Sequence, residues 1–270
     1  MSKNQAKAIL MTLHYSWFKS LRVPTFRLNQ FTKLMDPYTF SQISLIRGLA
    51  DSLPKKSVVL DVGSGGQWPR KYIELVDHEY IGCDIYSSPN SKIQDFLVTN
   101  EILPINDLSL DALLSLSVLE HLPSPARAIS EYSRVLKPGG FLVLQTNFLY
   151  KEHGAPNDYF RFTEHAIRHL LSDNGLAINQ LFKVGNSYTF FIDWLVQSHL
   201  RRMDHSLSLF FSNSSARRII LCLPLLLLAV SNFLIGLVVS FVSVIVSLLG
   251  NLLLREKNSY SGVAVIARKK

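Results

Sequence analysis

The chain is short of cysteine, of acid and of charge altogether. Among 270 residues there are two cysteines, and 18% of the side chains are charged, with 20 Asp+Glu against 28 Lys+Arg. Two thiols, Cys83 and Cys222, far apart and in apolar surroundings, exclude a disulfide scaffold and fit reduced, buried groups in a cytosolic compartment. Low charge with 48% hydrophobic residues excludes intrinsic disorder, and 13 glycines without a period exclude a collagen-like fibre. The early apolar run Ile9–Leu13 is too short for a signal peptide and no small-residue cleavage site follows it.

What is abundant is hydrophobic surface, and it is concentrated. Ile219 to Leu254 is 36 residues without a charged side chain. Arg201, Arg202, Arg217 and Arg218 precede it, and Arg255 and Lys257 follow. As one helix it would be ~54 Å long, well beyond a hydrocarbon core of ~30 Å. Ser231-Asn232 and Gly236 offer turn points, so the expectation is a helical hairpin with both ends on the cytoplasmic side. Phe190, Phe191 and Trp194 would lie in the interface beside it. The net charge of +8 then reads as attraction to anionic lipid rather than to nucleic acid. No basic stripe interleaved with aromatics is visible, which points away from a nucleic-acid partner.

The remainder alternates short apolar runs with helical patterns. Strands are expected at Val58–Val62, Tyr80–Asp84, Lys92–Phe96, Ala112–Ser117, Phe141–Gln145, Leu176–Val184 and Gly262–Ala267. Helices are expected at Tyr38–Leu49, Pro69–Val76, Pro125–Leu136 and Thr163–Asn174, the last capped by Thr163 and closed at Asn174-Gly175. A further helical pattern carries Leu10, Leu13, Trp17 and Leu21. Such alternation implies an α/β fold: a mainly parallel, Rossmann-like sheet with helices on both faces. The organisation expected is a helical cap over 1–50, a core over 51–186, an apolar insertion over 187–258 and a final core strand over 259–270.

The strongest local signal is Leu60-Asp61-Val62-Gly63-Ser64-Gly65-Gly66, a buried strand running into a glycine-rich turn. Glycine there tolerates positive φ and lets a ligand approach the backbone. Nineteen residues beyond Gly65, Asp84 ends the next strand, where a carboxylate accepts from both hydroxyls of a ribose. Together they define a nucleoside-cofactor site.

These residues resemble the class I S-adenosylmethionine (SAM) methyltransferases, in particular their type 11 branch. Gln94-Asp95-Phe96, Leu103-Pro104-Ile105, Leu110-Asp111-Ala112, Ser117-Val118-Leu119-Glu120-His121-Leu122 and Arg134-Val135-Leu136-Lys137-Pro138-Gly139-Gly140 are similar to that family's further motifs. The resemblance covers roughly residues 35–185 and the last strand. It implies SAM as cofactor, held by Asp61, Gly63, Ser64, Gly65, Gly66, Asp84, Ile85, Asp95, Phe96 and Ser117. It departs at Gln67, where the family has a third glycine, and Gly66 is expected to supply the missing freedom.

Beyond the fifth strand, His153-Gly154-Ala155-Pro156-Asn157-Asp158-Tyr159-Phe160-Arg161 is similar to an element of type 11 proteins associated with glycan or lipid modification. The resemblance makes His153 the candidate general base and Tyr159 and Arg161 acceptor contacts; an Asp158–Arg161 ion pair that only pins the loop is the competing role. Glu120-His121 reads as structural or SAM-adjacent, with a catalytic acid–base pair as the competing role. The other histidines show no metal-ligand spacing, so no metal is expected. The expected activity is methyl transfer to a small or lipid-linked acceptor (a glycolipid, a polyprenyl-linked sugar or a quinone-like ring) at the cytoplasmic membrane face. The alternative is a SAM-binding, membrane-anchored scaffold without catalysis.

Overall fold

The computed structural model describes residues 37–85, 95–98, 102–185 and 260–270, together with six helical residues between 227 and 242. Seven strands form one sheet: β1 (Val58–Val62), β2 (Glu79–Asp84), β3 (Phe96–Leu97), β4 (Leu110–Leu116), β5 (Leu136–Asn147), β6 (Leu176–Val184) and β7 (Gly262–Lys269). Their order is β3-β2-β1-β4-β5-β7-β6. The first five are parallel, and β7 runs antiparallel between β5 and β6. The helices are α1 (Pro37–Ser52), α2 (Arg70–Glu74), α3 (Pro125–Val135) and α4 (Glu164–Asp173).

The sequence reading of a Rossmann-like α/β fold holds, and the expected final strand is present as β7. Of the expected third strand, residues 92–94 lie outside the described residues; Phe96 and Leu97 pair with Cys83 and Asp84. A compact unit runs from Ser41 to Lys270 and takes in most of α1. Leu45, Ile46, Leu49 and Ala50 of that helix are buried. The first helical pattern, around Trp17, lies outside the described residues.

The core forms because both faces of the central strands are apolar and covered. Leu60, Leu113, Leu114, Leu142 and Leu144 are fully buried between helices that contribute Ile129, Tyr132, Ile167 and Leu171. Thr163 caps α4 by accepting from Ala166 N–H at 3.2 Å, and Gly175 takes the left-handed φ of 70° that ends it.

The family-like charged motifs turn out to be pins. Arg134 donates to the carbonyls of Leu103 and Ile105 and to Glu131 and Asp107. Asp111 accepts from Val58 N–H at 2.9 Å and from Lys137 Nζ at 2.6 Å, tying β1 to β4 and β5.

Most of the apolar segment lies outside the described residues, including its expected turn points at Asn232 and Gly236. Leu227, Ser231, Leu234, Ile235, Val238 and Val242 are helical and exposed. Among the described residues no helix is long and apolar enough to cross a membrane.

Candidate active site

In an open α/β sheet a ligand crevice forms at the carboxyl ends of strands where the order reverses. Here that point lies between β1 and β4. The turn after β1 crosses it, and two features show that backbone packs closely there. Gly63 has φ +67°, and a Cβ on it would come within 2.4 Å of Val118 Cγ2. Gly65 has φ +46°, and Ser64 N–H donates to Cys83 O.

The expected third glycine proves to matter. Gln67 itself takes the left-handed conformation, with φ 51°, and Gly66 does not. The freedom assigned to Gly66 is therefore located one residue later, on a side chain whose Oε1 is held by Arg70 at 3.2 Å.

Asp84, at the end of β2, accepts from Gly65 N–H at 2.8 Å through Oδ2 and from Ile85 N–H at 2.7 Å through Oδ1. Each oxygen keeps lone-pair capacity for a second donor. Ile85 and Leu97, next to it, expose large apolar side chains. Asp95 is engaged by Gly82 N–H and by Arg70, both at 2.7 Å, while Phe96 packs against the core. Ser117, the last cofactor candidate, sits at φ 59° and donates its N–H to Gln145 O at 2.8 Å.

Asp61 is buried and accepts from the Tyr80 hydroxyl. Burial pushes its carboxyl up to about 7, against the lowering effect of that hydrogen bond. The same burial pushes the free thiol of Cys83 up to about 12, which makes it an inert core group.

The loops after β4 and β5 form a second cluster. A short 3-10 turn, Leu119–His121, follows β4. Glu120 is fully buried, accepts from Thr146 Oγ1 at 2.8 Å and Asn147 Nδ2 at 2.5 Å, and its carboxyl is raised by desolvation. Its backbone carbonyl takes the N–H groups of Tyr159 and Phe160. This zips the two loops together and brings His153 Nε2 to 3.1 Å from His121 Nε2. Burial, and then His121, lower the affinity of His153 for a proton.

His153, Glu120 and His121 thus stand together, 32 residues apart in the chain. Sequence spacing did not show this, because the pairing depends on which strands lie side by side. Tyr159 is half exposed and near the cluster, its hydroxyl on Asn157 Oδ1 at 3.1 Å. Arg161 is the exception. Its guanidinium donates to Asp158 twice, at 2.7 and 2.8 Å, and to the carbonyls of Tyr150, Lys151 and Phe160. All five N–H donors are used, so Arg161 pins the loop. It holds the Asp158 carboxyl well below the usual range, and Asp158 in turn accepts from His153 N–H at 2.7 Å.

A crevice at the strand ends, a glycine turn beside it and a carboxylate at the end of the neighbouring strand are the features of a Rossmann-like nucleoside-cofactor protein. Comparison makes this specific. Residues 60–144 match the family described as "Methyltransferase domain", so this part of the chain, from β1 to β5, is a SAM-dependent methyltransferase domain.

A tRNA (carboxymethyluridine(34)-5-O)-methyltransferase of Arabidopsis thaliana is 39% identical over 115 residues, covering 39% of this chain and 28% of that protein. An uncharacterized methyltransferase of a Mycobacterium species is 33% identical over 107 residues, covering 37% and 42%. The chain therefore spans less than half the length of these relatives. A putative sarcosine dimethylglycine methyltransferase of Galdieria sulphuraria shares the fold, with a TM-score of 0.52, 15% identity and coverage of 92% and 91%.

These relatives correct one expectation. The absence of a nucleic-acid partner was inferred from the missing basic stripe, yet the Arabidopsis relative and a mouse "probable tRNA methyltransferase 9B", 34% identical over 98 residues, are both named for tRNA. Acceptor contacts in this fold come from loops, so a linear stripe is a poor reporter of them.

Proposed function

We propose that this chain transfers a methyl group from SAM to an acceptor bound over the carboxyl ends of β4 and β5. The observation that carries this is the pairing of the Asp84–Gly65 cradle with the Glu120–His121–His153 cluster across the switch point. The cradle fits the cofactor: Ser64 Oγ and Gln67 Nε2 are buried there without a partner among the described residues, and Asp84 has acceptor capacity for a ribose. Asp84 would hold the ribose, the Gly63–Gly65 turn the amino-acid end, and Ile85 an adenine face. SAM supplies an already activated methyl group, so the protein mainly aligns two reactants and excludes water. The proton leaving the acceptor is taken up at the Nε2 face of the histidine pair.

Two readings of the acceptor each have support. A set of exposed apolar side chains, Leu227, Leu234, Ile235, Val238 and Val242, lies inside an uncharged segment. It supports attachment to the cytoplasmic face of a membrane and a small or lipid-linked acceptor. The names of the tRNA-modifying relatives, and the net charge of +8, support an RNA base.

Calorimetric titration with SAM tests the cofactor half. Asp84→Ala should weaken binding about tenfold or more, since one lost charge-assisted acceptor is worth about 1–3 kcal/mol, and unchanged affinity would remove the assignment. For the acceptor, labelled SAM is incubated with total tRNA and with membrane lipid extract. Label in neither fraction defeats both readings; label in one selects it. His153→Ala should lower turnover and spare SAM affinity.

A further inference from the structure

The histidine pair poses a problem of hydrogen bonding. His121 Nδ1 lies 2.5 Å from Asn157 O. A carbonyl only accepts, so that nitrogen carries the proton. His153 Nδ1 faces Lys151 O at 3.3 Å and Asp158 Oδ2 at 3.5 Å, again two acceptors. In the neutral rings both protons are therefore on Nδ1, and both Nε2 atoms present lone pairs to each other at 3.1 Å. Asn147 Nδ2 is 3.5 Å from His153 Nε2 but is held by Glu120 Oε1 at 2.5 Å. Two lone pairs in that relation repel unless a cation lies between them.

A third donor stands beside them. Glu120 Oε1 is 4.0 Å from His153 Nε2, and one ligand atom from each of the three residues falls within 4.8 Å of the others. We propose that Glu120, His121 and His153 bind a divalent first-row transition ion of the zinc type.

The donor set selects this class. Imidazole with one carboxylate suits zinc, iron, cobalt or nickel, whereas magnesium and calcium prefer oxygen throughout. Two nitrogens 3.1 Å apart, each ~2.0–2.1 Å from one ion, subtend about 100° at it, close to tetrahedral; Glu120 Oε1, 4.0 Å from His153 Nε2, completes the set by moving about 0.7 Å toward them on binding. The surroundings are those of ligands held in place. Each ring donates its other N–H to a carbonyl, and the carboxylate is fixed by Thr146 and Asn147. Three protein ligands leave a position for water or an acceptor oxygen. The site stands on this geometry alone. With the ion bound both Nε2 atoms are ligands and take no proton; the ion's role in methyl transfer, polarising an acceptor oxygen so that its proton passes to water at neutral pH, rests on the reading above.

The experiment is metal binding by the full chain, stripped with chelator and titrated with Zn²⁺ and, for its visible spectrum, Co²⁺. One equivalent should bind with micromolar or tighter affinity, and Co²⁺ should show the intense d–d bands of low coordination. The double variant His121→Ala/His153→Ala should bind at least 100-fold more weakly, and Glu120→Gln, which keeps the shape and removes the charge, at least tenfold. His169→Ala, on α4, should bind as the parent does. Circular dichroism of the stripped proteins verifies that each variant is folded. No stoichiometric binding by the parent, which is the result expected of a shared proton alone, overturns the proposal. Binding by the double variant within threefold of the parent also overturns it. SAM titration of the same samples is a separate readout, so loss of the metal site and loss of the methyltransferase reading are distinguishable.

Discussion

Asp61 shows how one residue of a motif can serve the fold and leave a measurable trace. Its carboxylate sits in the core under the glycine turn, bonded to Tyr80. Burial raises it from an ordinary value of 3.8 to about 7, so the folded chain holds a proton that the unfolded chain has released. Stability from this group is complete below the unfolded value and is lost as pH rises through about 7. One proton contributes at most about 1.4 kcal/mol per pH unit to that slope. Thermal melts should therefore show the midpoint falling between about pH 4 and pH 7 and levelling above it, and Asp61→Asn should flatten the fall. Some slope will persist, because buried Glu120 is shifted in the same direction. A parent midpoint that rises across this window would contradict the burial argument.

At the scale of elements, the Arg134–Gly140 motif explains how β5 begins. Arg134 and Lys137 fasten the preceding turns, and β4 and β5 slip register between Leu110 and Ala112. Gly140 sits at that irregularity. A Cβ there would lie 2.9 Å from Lys137 O and 3.1 Å from Asp111 O, and neither backbone atom can move without opening the strand pair. Gly140→Ala should cost about 1–3 kcal/mol, as overpacking does, and lower the melting midpoint by several degrees. Lys56→Gly should act in the opposite sense. Lys56 is exposed and holds φ 63°, a conformation costing most residues about 1–2 kcal/mol, part of which glycine's greater chain entropy offsets. A gain of up to about 1 kcal/mol in denaturant unfolding is expected; a loss would mean that the lysine side chain matters.

At the scale of the molecule, the last strand decides whether the sheet is whole. β7 pairs with β5 over Phe141–Asn147 and with β6 over Leu176–Val184. Its Val263, Ala264, Val265 and Ala267 are buried, and Lys269 Nζ caps the carbonyls of Ser133 and Leu136. Ending the chain before Tyr260 would bare two strand edges and a strip of core. Such a truncation should be insoluble or lack cooperative unfolding, although it retains every cofactor candidate. Recovery of a cooperative melt with intact SAM binding would show that the β1–β5 half folds alone.

The sequence by itself determined the class of fold, because short continuous apolar runs alternating with helical patterns have few solutions, and it picked out the candidate cofactor residues. Asp61, Gly63, Gly65 and Asp84 lie in two contiguous strand-turn units, so local order alone places them. Thr163 and Gly175 were legible for the same reason: a cap and a left-handed stop act within one turn. Tertiary structure decided the acceptor half. That Glu120 is a buried anchor, that Arg161 is used up by the loop it holds, and that His121 and His153 meet nose to nose all depend on β4 and β5 being neighbours. Their ends come together through sheet pairing, a non-local contact to which no spacing along the chain corresponds.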